Sequence, residues 1–287
     1  MLKLGIVGAE NSHSYSVAKT CNIDKAVAMR VPMIWGETSA YAKNASELGG
    51  IPTIVKDWRE MLGQVDGIMI DHRHPGPHYE VAKYFLSRGV PTFVDKPMTW
   101  KLTEAKKLLD IAKKNRTPVT TFSAIPIQTA FSSFKSQVEK NGGALAFNST
   151  GPVDLKAKWG GVFFYGIHQV DAIVEVLGTN VQQVLLQRNG VNGIATLLFT
   201  SGRVATINCI KAGLGFSWQV TCKNGSNIHY NDTRDANPYM TTVKRIRDLI
   251  GKGKQPYSRK RMLAPVAILE ALQKSLDTGK VVKVAKF

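Results

Sequence analysis

For its first 121 residues the chain alternates short apolar runs with amphipathic segments, an order that few folds accommodate. Leu2 to Val7, Val27 to Trp35, Thr53 to Val55, Gly67 to Ile70, Thr92 to Val94 and Val119 to Phe122 read as strands. Helical periodicity lies between them at Ser12 to Thr20, Ser39 to Leu48, Trp58 to Leu62, His78 to Ser87 and Thr103 to about Lys114. Continuous apolar strands are buried on both faces, and strands separated by helices pair in parallel through crossovers. Six such strands have the count of a doubly wound sheet of Rossmann type, with ligands taken at the carboxyl ends of its strands.

After Ser123 the rhythm breaks. Helices near Ser132 to Glu139 and Ile167 to Leu177 bracket a glycine-rich approach, Trp159-Gly160-Gly161. Alternating runs follow at Val184 to Gln187, Ile194 to Phe199, Arg203 to Ile210, Phe216 to Thr221 and Asn227 to Tyr230, with Asn-Gly, Ser-Gly and Lys-Asn-Gly turns between them. A helix from about Leu263 to Leu276 closes the chain. The expected architecture is α/β: a Rossmann-like, doubly wound parallel sheet in a dinucleotide-binding domain over 1–121, and an α+β substrate and oligomerisation domain over 122–287 with an open, mostly antiparallel sheet.

Charge narrows the classes of partner. The chain of 287 residues carries a net charge of +17, with 17 basic against 12 acidic residues up to position 121 and 21 against 9 beyond it. Between Lys244 and Arg261 eight basic residues face Asp248 alone. A polyanion surface is one use of such a run, but no zinc-finger spacing or aromatic RNA-binding signature accompanies it. It reads as a solvated face or the rim of an anionic ligand, not as a nucleic-acid site. No apolar stretch reaches the roughly 18 residues of a membrane span, and the first residues lack a secretory core. Cys21, Cys209 and Cys222 are too far apart for a metal or redox motif and suit a reducing, cytoplasmic compartment.

The segment Gly5 to His13 follows the first strand and opens a helix, where a dinucleotide fingerprint would lie. In the GxGxxG frame Gly8 keeps the first glycine, while Glu10 and His13 occupy the second and third. The helix N-terminus still offers N–H groups to a phosphate, and Asn11 and Ser12 can donate hydrogen bonds. After the second strand Glu37 is placed to meet ribose hydroxyls, with no adjacent Arg for a 2′-phosphate, which favours NAD over NADP. His72 and His74 suggest a metal pair, yet their Pro- and Gly-rich surroundings fit a loop entering a helix at His78, and no metal is expected. Asp95-Lys96-Pro97 ends the fifth strand, where a desolvated Lys96 could assist proton transfer at a substrate hydroxyl. His168 follows a glycine-containing turn and has the pKa range of a general base.

Together these residues resemble the glucose-fructose oxidoreductase, inositol dehydrogenase and rhizopine-catabolism family, Gfo/Idh/MocA. Val65-Asp66-Gly67-Ile68, His78, Gly89 and Asp95-Lys96-Pro97 follow its VDaV…H…G…EKP pattern, with Asp for Glu. Gly166-x-His168-x-x-Asp171 is similar to its GxHxxD segment, and Ser275-Leu276-x-x-Gly279-Lys280-x-Val282 to its closing helix and strand. The resemblance implies an NAD- or NADP-dependent oxidoreductase acting on the hydroxyl of a sugar, polyol or related small carbohydrate. Lys96 would then orient and polarise the reacting C–O and His168 take the proton, with Gly8, Glu10, Asn11, Ser12, His13, Glu37, His78, Asp95 and Lys96 along the cofactor. Lys156, Lys158, Trp159, Tyr165 and His168 are the expected substrate contacts, the two lysines suiting an acidic sugar. The resemblance also implies a homo-oligomer, dimer or tetramer. Many members carry an Asp where this chain has Phe164, which keeps two alternatives open: a non-catalytic nucleotide- or sugar-binding regulator, and a redox-assisted glycosidase or lyase.

Overall fold

The computed structural model describes residues 1–212 and 215–287, and among them the strands form two sheets. β1 (Leu2–Val7), β4 (Gly67–Ile70) and β5 (Thr92–Val94) have the bounds expected from their apolar runs. β2 (Met29–Trp35), β3 (Thr53–Ile54) and β6 (Val119–Thr120) are shorter than the runs that announce them. The order is β3-β2-β1-β4-β5-β6, parallel throughout. Strand order reverses between β1 and β4, which makes their carboxyl ends the place where such a sheet takes a ligand. Helices α1 (Ser12–Asn22), α2 (Ser39–Gly49), α3 (His78–Leu86) and α4 (Leu102–Lys114) supply the crossovers, while Trp58–Met61 is one 3-10 turn closed by an Asp57/Glu60 capping box.

The chain divides into two compact units, and a single cut at 121/122 does not describe them. The first comprises 1–99, 103–124 and 237–259; the second comprises 100–102, 125–236 and 260–287. The returning segment carries a helix that the sequence reading passed over as a basic run, α7 (Met240–Lys252). Val243, Ile246 and Leu249 recur at helical spacing and are buried, while Lys244 and Lys252 on the other side are exposed. Ile250 approaches β4 so closely that a Cβ on Gly67 would lie 2.5 Å from it.

The second unit contains α5 (Thr129–Lys140), β7 (Ala144–Pro152), α6 (Val162–Leu177), β8 (Val181–Asn189), β9 (Asn192–Phe199), β10 (Val204–Ile210), β11 (Ser217–Cys222), β12 (Asn227–Asn231), α8 (Arg259–Thr278) and β13 (Val282–Lys283). Its sheet runs β12-β11-β7-β10-β9-β8-β13, antiparallel except for the pair β7 and β10. β7 was not expected: its polar stretch Asn148-Ser149-Thr150-Gly151 lacks strand propensity, and pairing on both edges decides its state instead.

Trp218 anchors the core behind this sheet. It is fully buried, stacked on Tyr230 at 4.7 Å between ring centroids and edge-on to Phe131 at 5.6 Å. A Cβ at Gly151 would run into the Phe216 ring, so glycine there is what lets Phe216 lie flat against β7. Trp218→Ala should cost about 3–5 kcal/mol of stability, read as a lower urea midpoint with an unchanged slope. A loss below about 1 kcal/mol would show that Trp218 is not the anchor.

Candidate active site

In the first unit the loop after β1 turns at Gly8, whose φ of +111° suits glycine. A Cβ there would lie 2.5 Å from the His72 nitrogen and 2.6 Å from the Asp71 carbonyl carbon, so the loop rests on the backbone leaving β4. Glu10 and His13 are not in the left-handed region; among the described residues only Lys25 and Arg116 are non-glycines with positive φ. The turn therefore closes without the second and third glycines of the fingerprint. Close approach shifts to Gly36, where a Cβ would meet the Ala9 Cβ at 2.8 Å.

Glu37 holds this loop from the end of β2. Its Oε2 accepts the N–H of Ala9 at 2.8 Å and of Glu10 at 3.1 Å, and its Oε1 is buried without a protein partner. The side chain of Glu10 lies near His74, whose pKa is pushed down by burial and pulled back by that carboxylate. Ser12 is exposed at the start of α1, a helix with no side-chain cap and no acidic residue in its first turn.

Beyond Gly8 two carboxylates are buried together. Asn11 Nδ2 donates to Asp71 Oδ1 at 3.0 Å and to Asp95 Oδ2 at 3.2 Å, and His13 Nδ1 lies 3.1 Å from both oxygens of Asp95. Opposite an ionised carboxylate, which only accepts, that nitrogen carries the proton. Burial, reinforced by the Asp95 charge, pushes the Asp71 carboxyl well above the usual range, and its Oδ2 has no partner. Burial also raises Asp95, but the adjoining His13 ring and the Lys96 ammonium outweigh it and hold Asp95 below the ordinary value. The environment thus pushes the two carboxyls apart, Asp71 toward the protonated form and Asp95 toward the ionised one. Lys96 is itself buried, and desolvation lowers its pKa against the pull of Asp95 and Asp71. His78 positions this turn, with Nδ1 3.0 Å from the Pro97 carbonyl and Nε2 3.1 Å from that of His72.

The histidine pair considered for a metal does not converge. Burial pushes His72 down to about 3, and its ring packs on Trp35 and His78 at 5.8 Å each, while His74 Nδ1 accepts the Gly76 N–H at 2.9 Å. Ligand-type atoms gather instead at His13, Asp71 and Asp95, all within 4.8 Å of one another. Asp71 and Asp95 end different strands, so sequence spacing could not pair them.

In the second unit α6 starts five residues before the expected point, which makes Phe163 to Tyr165 helical and puts His168 in its second turn. His168 is buried, its ring 5.6 Å from those of Tyr165 and Phe216. Asp171, one turn later, accepts Arg261 Nη1 at 2.6 Å, and Arg261 Nη2 donates to Glu175 at 3.1 Å. The GxHxxD aspartate therefore fixes α6 to α8, which sets the direction of the His168 face. A cavity of about 550 Å³ opens beside that face, lined by the expected Lys156, Lys158, Trp159 and Tyr165 together with Phe164. Phe216, Lys211 and Arg234 line it as well; they were missed because they arrive from the far side of the sheet sequence.

Residues 2–122 match the family described as an oxidoreductase family with an NAD-binding Rossmann fold. That stretch is similar to the Gfo/Idh/MocA oxidoreductases. No curated protein matches the sequence. Among solved structures, the chain is similar to myo-inositol 2-dehydrogenase from Lactobacillus plantarum (17% identity, TM-score 0.82, 99% of each chain). It is likewise similar to apo scyllo-inositol dehydrogenase from Lactobacillus casei (14%, TM-score 0.85, 100% of this chain and 99% of that one) and to GenD2 from gentamicin A biosynthesis, solved with NAD (13%, TM-score 0.84, 99% and 97%). At these identities the likeness is one of fold, and it extends over both units.

Asp71 provides a test of the buried cluster. A carboxyl whose folded pKa is raised stabilises the fold fully below its unfolded value, about 4, and loses that contribution as pH rises through the folded value. Asp71→Asn keeps an acceptor for Asn11 and removes this loss. Its melting temperature relative to wild type should therefore climb between pH 4 and pH 8. A difference that stays flat across that range would mean Asp71 titrates normally.

Proposed function

We propose that the protein is an oxidoreductase that moves a hydride between a nicotinamide cofactor and the hydroxyl of a sugar, polyol or related small carbohydrate. The observation that carries this is Lys96, a lysine buried at the end of β5 on the ligand-binding edge of a parallel sheet, beside the buried carboxyls of Asp71 and Asp95, whose pKa values its surroundings push in opposite directions.

The residues present fit such a cofactor. Gly8 leaves a cradle a side chain would fill, α1 has an uncapped N-terminus for a pyrophosphate, and Glu37 keeps the unpartnered Oε1 for a ribose hydroxyl. The same carboxylate would repel a 2′-phosphate, which supports NAD over NADP. Bound there, a nicotinamide supplies the two-electron chemistry and the side chains supply position and proton handling. Lys96 donates to the substrate oxygen and stabilises negative charge developing on it; Asp95 keeps Lys96 in place by charge. Within the second unit His168 has the chemistry of a proton acceptor, its ring set by Tyr165, Phe216 and the Asp171–Arg261 pair one turn further along α6.

Solved relatives of this fold that are inositol dehydrogenases support a polyol-like substrate. Exposed Ile194, Leu198 and Val204 on the outward side of β9 and β10 support a homo-oligomer. No helix among the described residues is long and apolar enough to cross a membrane, and three free, buried cysteines suit the reducing cytoplasm. One observation favours a non-catalytic sensor as the second reading: Phe164, the residue in place of an aspartate, is packed on Trp159 at 4.8 Å.

Melting with NAD⁺, NADH, NADP⁺ and NADPH in parallel tests the cofactor. NAD⁺ or NADH at a hundredfold excess over its Kd should stabilise the fold by about 2.7 kcal/mol, and the phosphorylated pair by less. Lys96→Ala should keep that shift and lose about 100-fold or more of turnover on a polyol substrate. No shift with any of the four, in protein that melts cooperatively, sinks the oxidoreductase reading; full function in Lys96→Ala moves the choice to the sensor.

A further inference from the structure

The aromatic cavity of the second unit holds more positive charge than its own carboxylates answer. Lys211 Nζ lies 3.6 Å from Asp154 Oδ2, and Arg234 Nη2 donates to Asp232 Oδ2 at 2.8 Å. Asp154 is committed twice, because its Oδ1 also accepts the Lys156 N–H at 2.9 Å. That bond sets the start of the loop between β7 and α6, from which Lys156 and Lys158 reach the cavity, both exposed. Among the described residues neither ammonium has a carboxylate within ion-pair distance. The Lys158 ammonium sits 4.7 Å from the centre of the Trp159 ring, which holds it over an aromatic face without neutralising it.

The rest of the wall is largely aromatic. Trp159 and Phe164 lie 4.8 Å apart with 35° between their planes, Tyr165 meets Phe164 edge-on at 4.7 Å, and Phe216 faces His168. Such rings receive the C–H face of a pyranose or cyclitol, and His168 packs behind two of them, Tyr165 and Phe216. A neutral polyol makes no use of two uncompensated ammonium groups lining the same cavity, whereas a carboxylate or phosphate does.

Resting on the carbohydrate reading above, we infer that the substrate carries an anionic group, a sugar carboxylate or a sugar phosphate, met by Lys156 and Lys158 while its ring lies on the Trp159–Phe164 wall. As ligands of the anionic group and not of the reacting hydroxyl, both lysines bind ground and transition states alike; their loss raises KM and leaves kcat nearly constant.

The test is calorimetric titration of the full chain, with NAD⁺ present, using D-glucuronate, glucose 6-phosphate, D-glucose and myo-inositol, at low and high salt. At least one anionic probe should bind about tenfold more tightly than both neutral ones, with an advantage that shrinks in salt. Lys156→Gln/Lys158→Gln, both at exposed positions, should bring that probe down to neutral-sugar affinity. Glucuronate and glucose 6-phosphate separate the carboxylate from the phosphate source. Neutral probes that bind as tightly as anionic ones overturn the inference and leave the carbohydrate reading standing. An anionic advantage that survives in the double variant also overturns it, since the charge is then met elsewhere. Failure of all four sugars to bind protein that does take up NAD⁺ overturns the carbohydrate reading and the inference with it.

Discussion

The close approach of Gly8 to the backbone leaving β4 governs the first unit. Because no side chain separates them, the loop after β1 lies on Asp71 and His72, and Asn11 comes within reach of two carboxylates from different strands. Burying two carboxylates together costs more than a hydrogen bond returns, unless one of them stays protonated. Asp71 is the carboxyl pushed toward the protonated form, while His13 and Lys96 hold Asp95 toward the ionised one. A side chain at position 8 would lift the loop and separate Asn11 from Asp71.

The same geometry explains how the loop dispenses with two glycines. In a dinucleotide fingerprint the third glycine allows a helix to pack on its strand. Here His13 occupies that position and turns its ring outward over the ends of β4 and β5, where Asp95 receives it and Tyr239 packs on it at 5.4 Å. Charge and aromatic contact thus replace absence of bulk. Glu10 needs no glycine because its N–H, like that of Ala9, is already turned toward Glu37.

Legibility in the sequence followed burial. β1, β4 and β5 are short, mostly apolar runs, and their bounds were readable to the residue. β7 and α7 were not: the first is polar and owes its state to neighbours on both edges, and the second hides a three-residue apolar period under basic side chains. The site divides similarly. Gly8, Glu37, Lys96 and His168 stand next to strand ends or in a motif, so their places could be expected. The joining of Asp71, Asp95 and His13, and of Phe216 with Lys156, depends on strand order and sheet curvature, which no local spacing encodes.

The basic surplus has a similar explanation in particular contacts. Arg261 is spent inside the second unit, with only 12% of its side chain exposed against 3% for Asp171. Arg245 lies over Phe122 and Tyr257, Arg259 pairs with Asp110, and Arg247 and Lys252 share Asp248. A run that looks like a polyanion surface in sequence is thus largely a set of local anchors, because a helix of basic residues can bury its stems while its head groups find partners. The cations of the β7–α6 loop differ in kind: Lys156 and Lys158 are held by loop geometry and an aromatic ring, not by opposite charge. Exposed ammonium groups without a carboxylate partner add little to the stability of a fold, so at a concave aromatic surface their charge stays available to an anion.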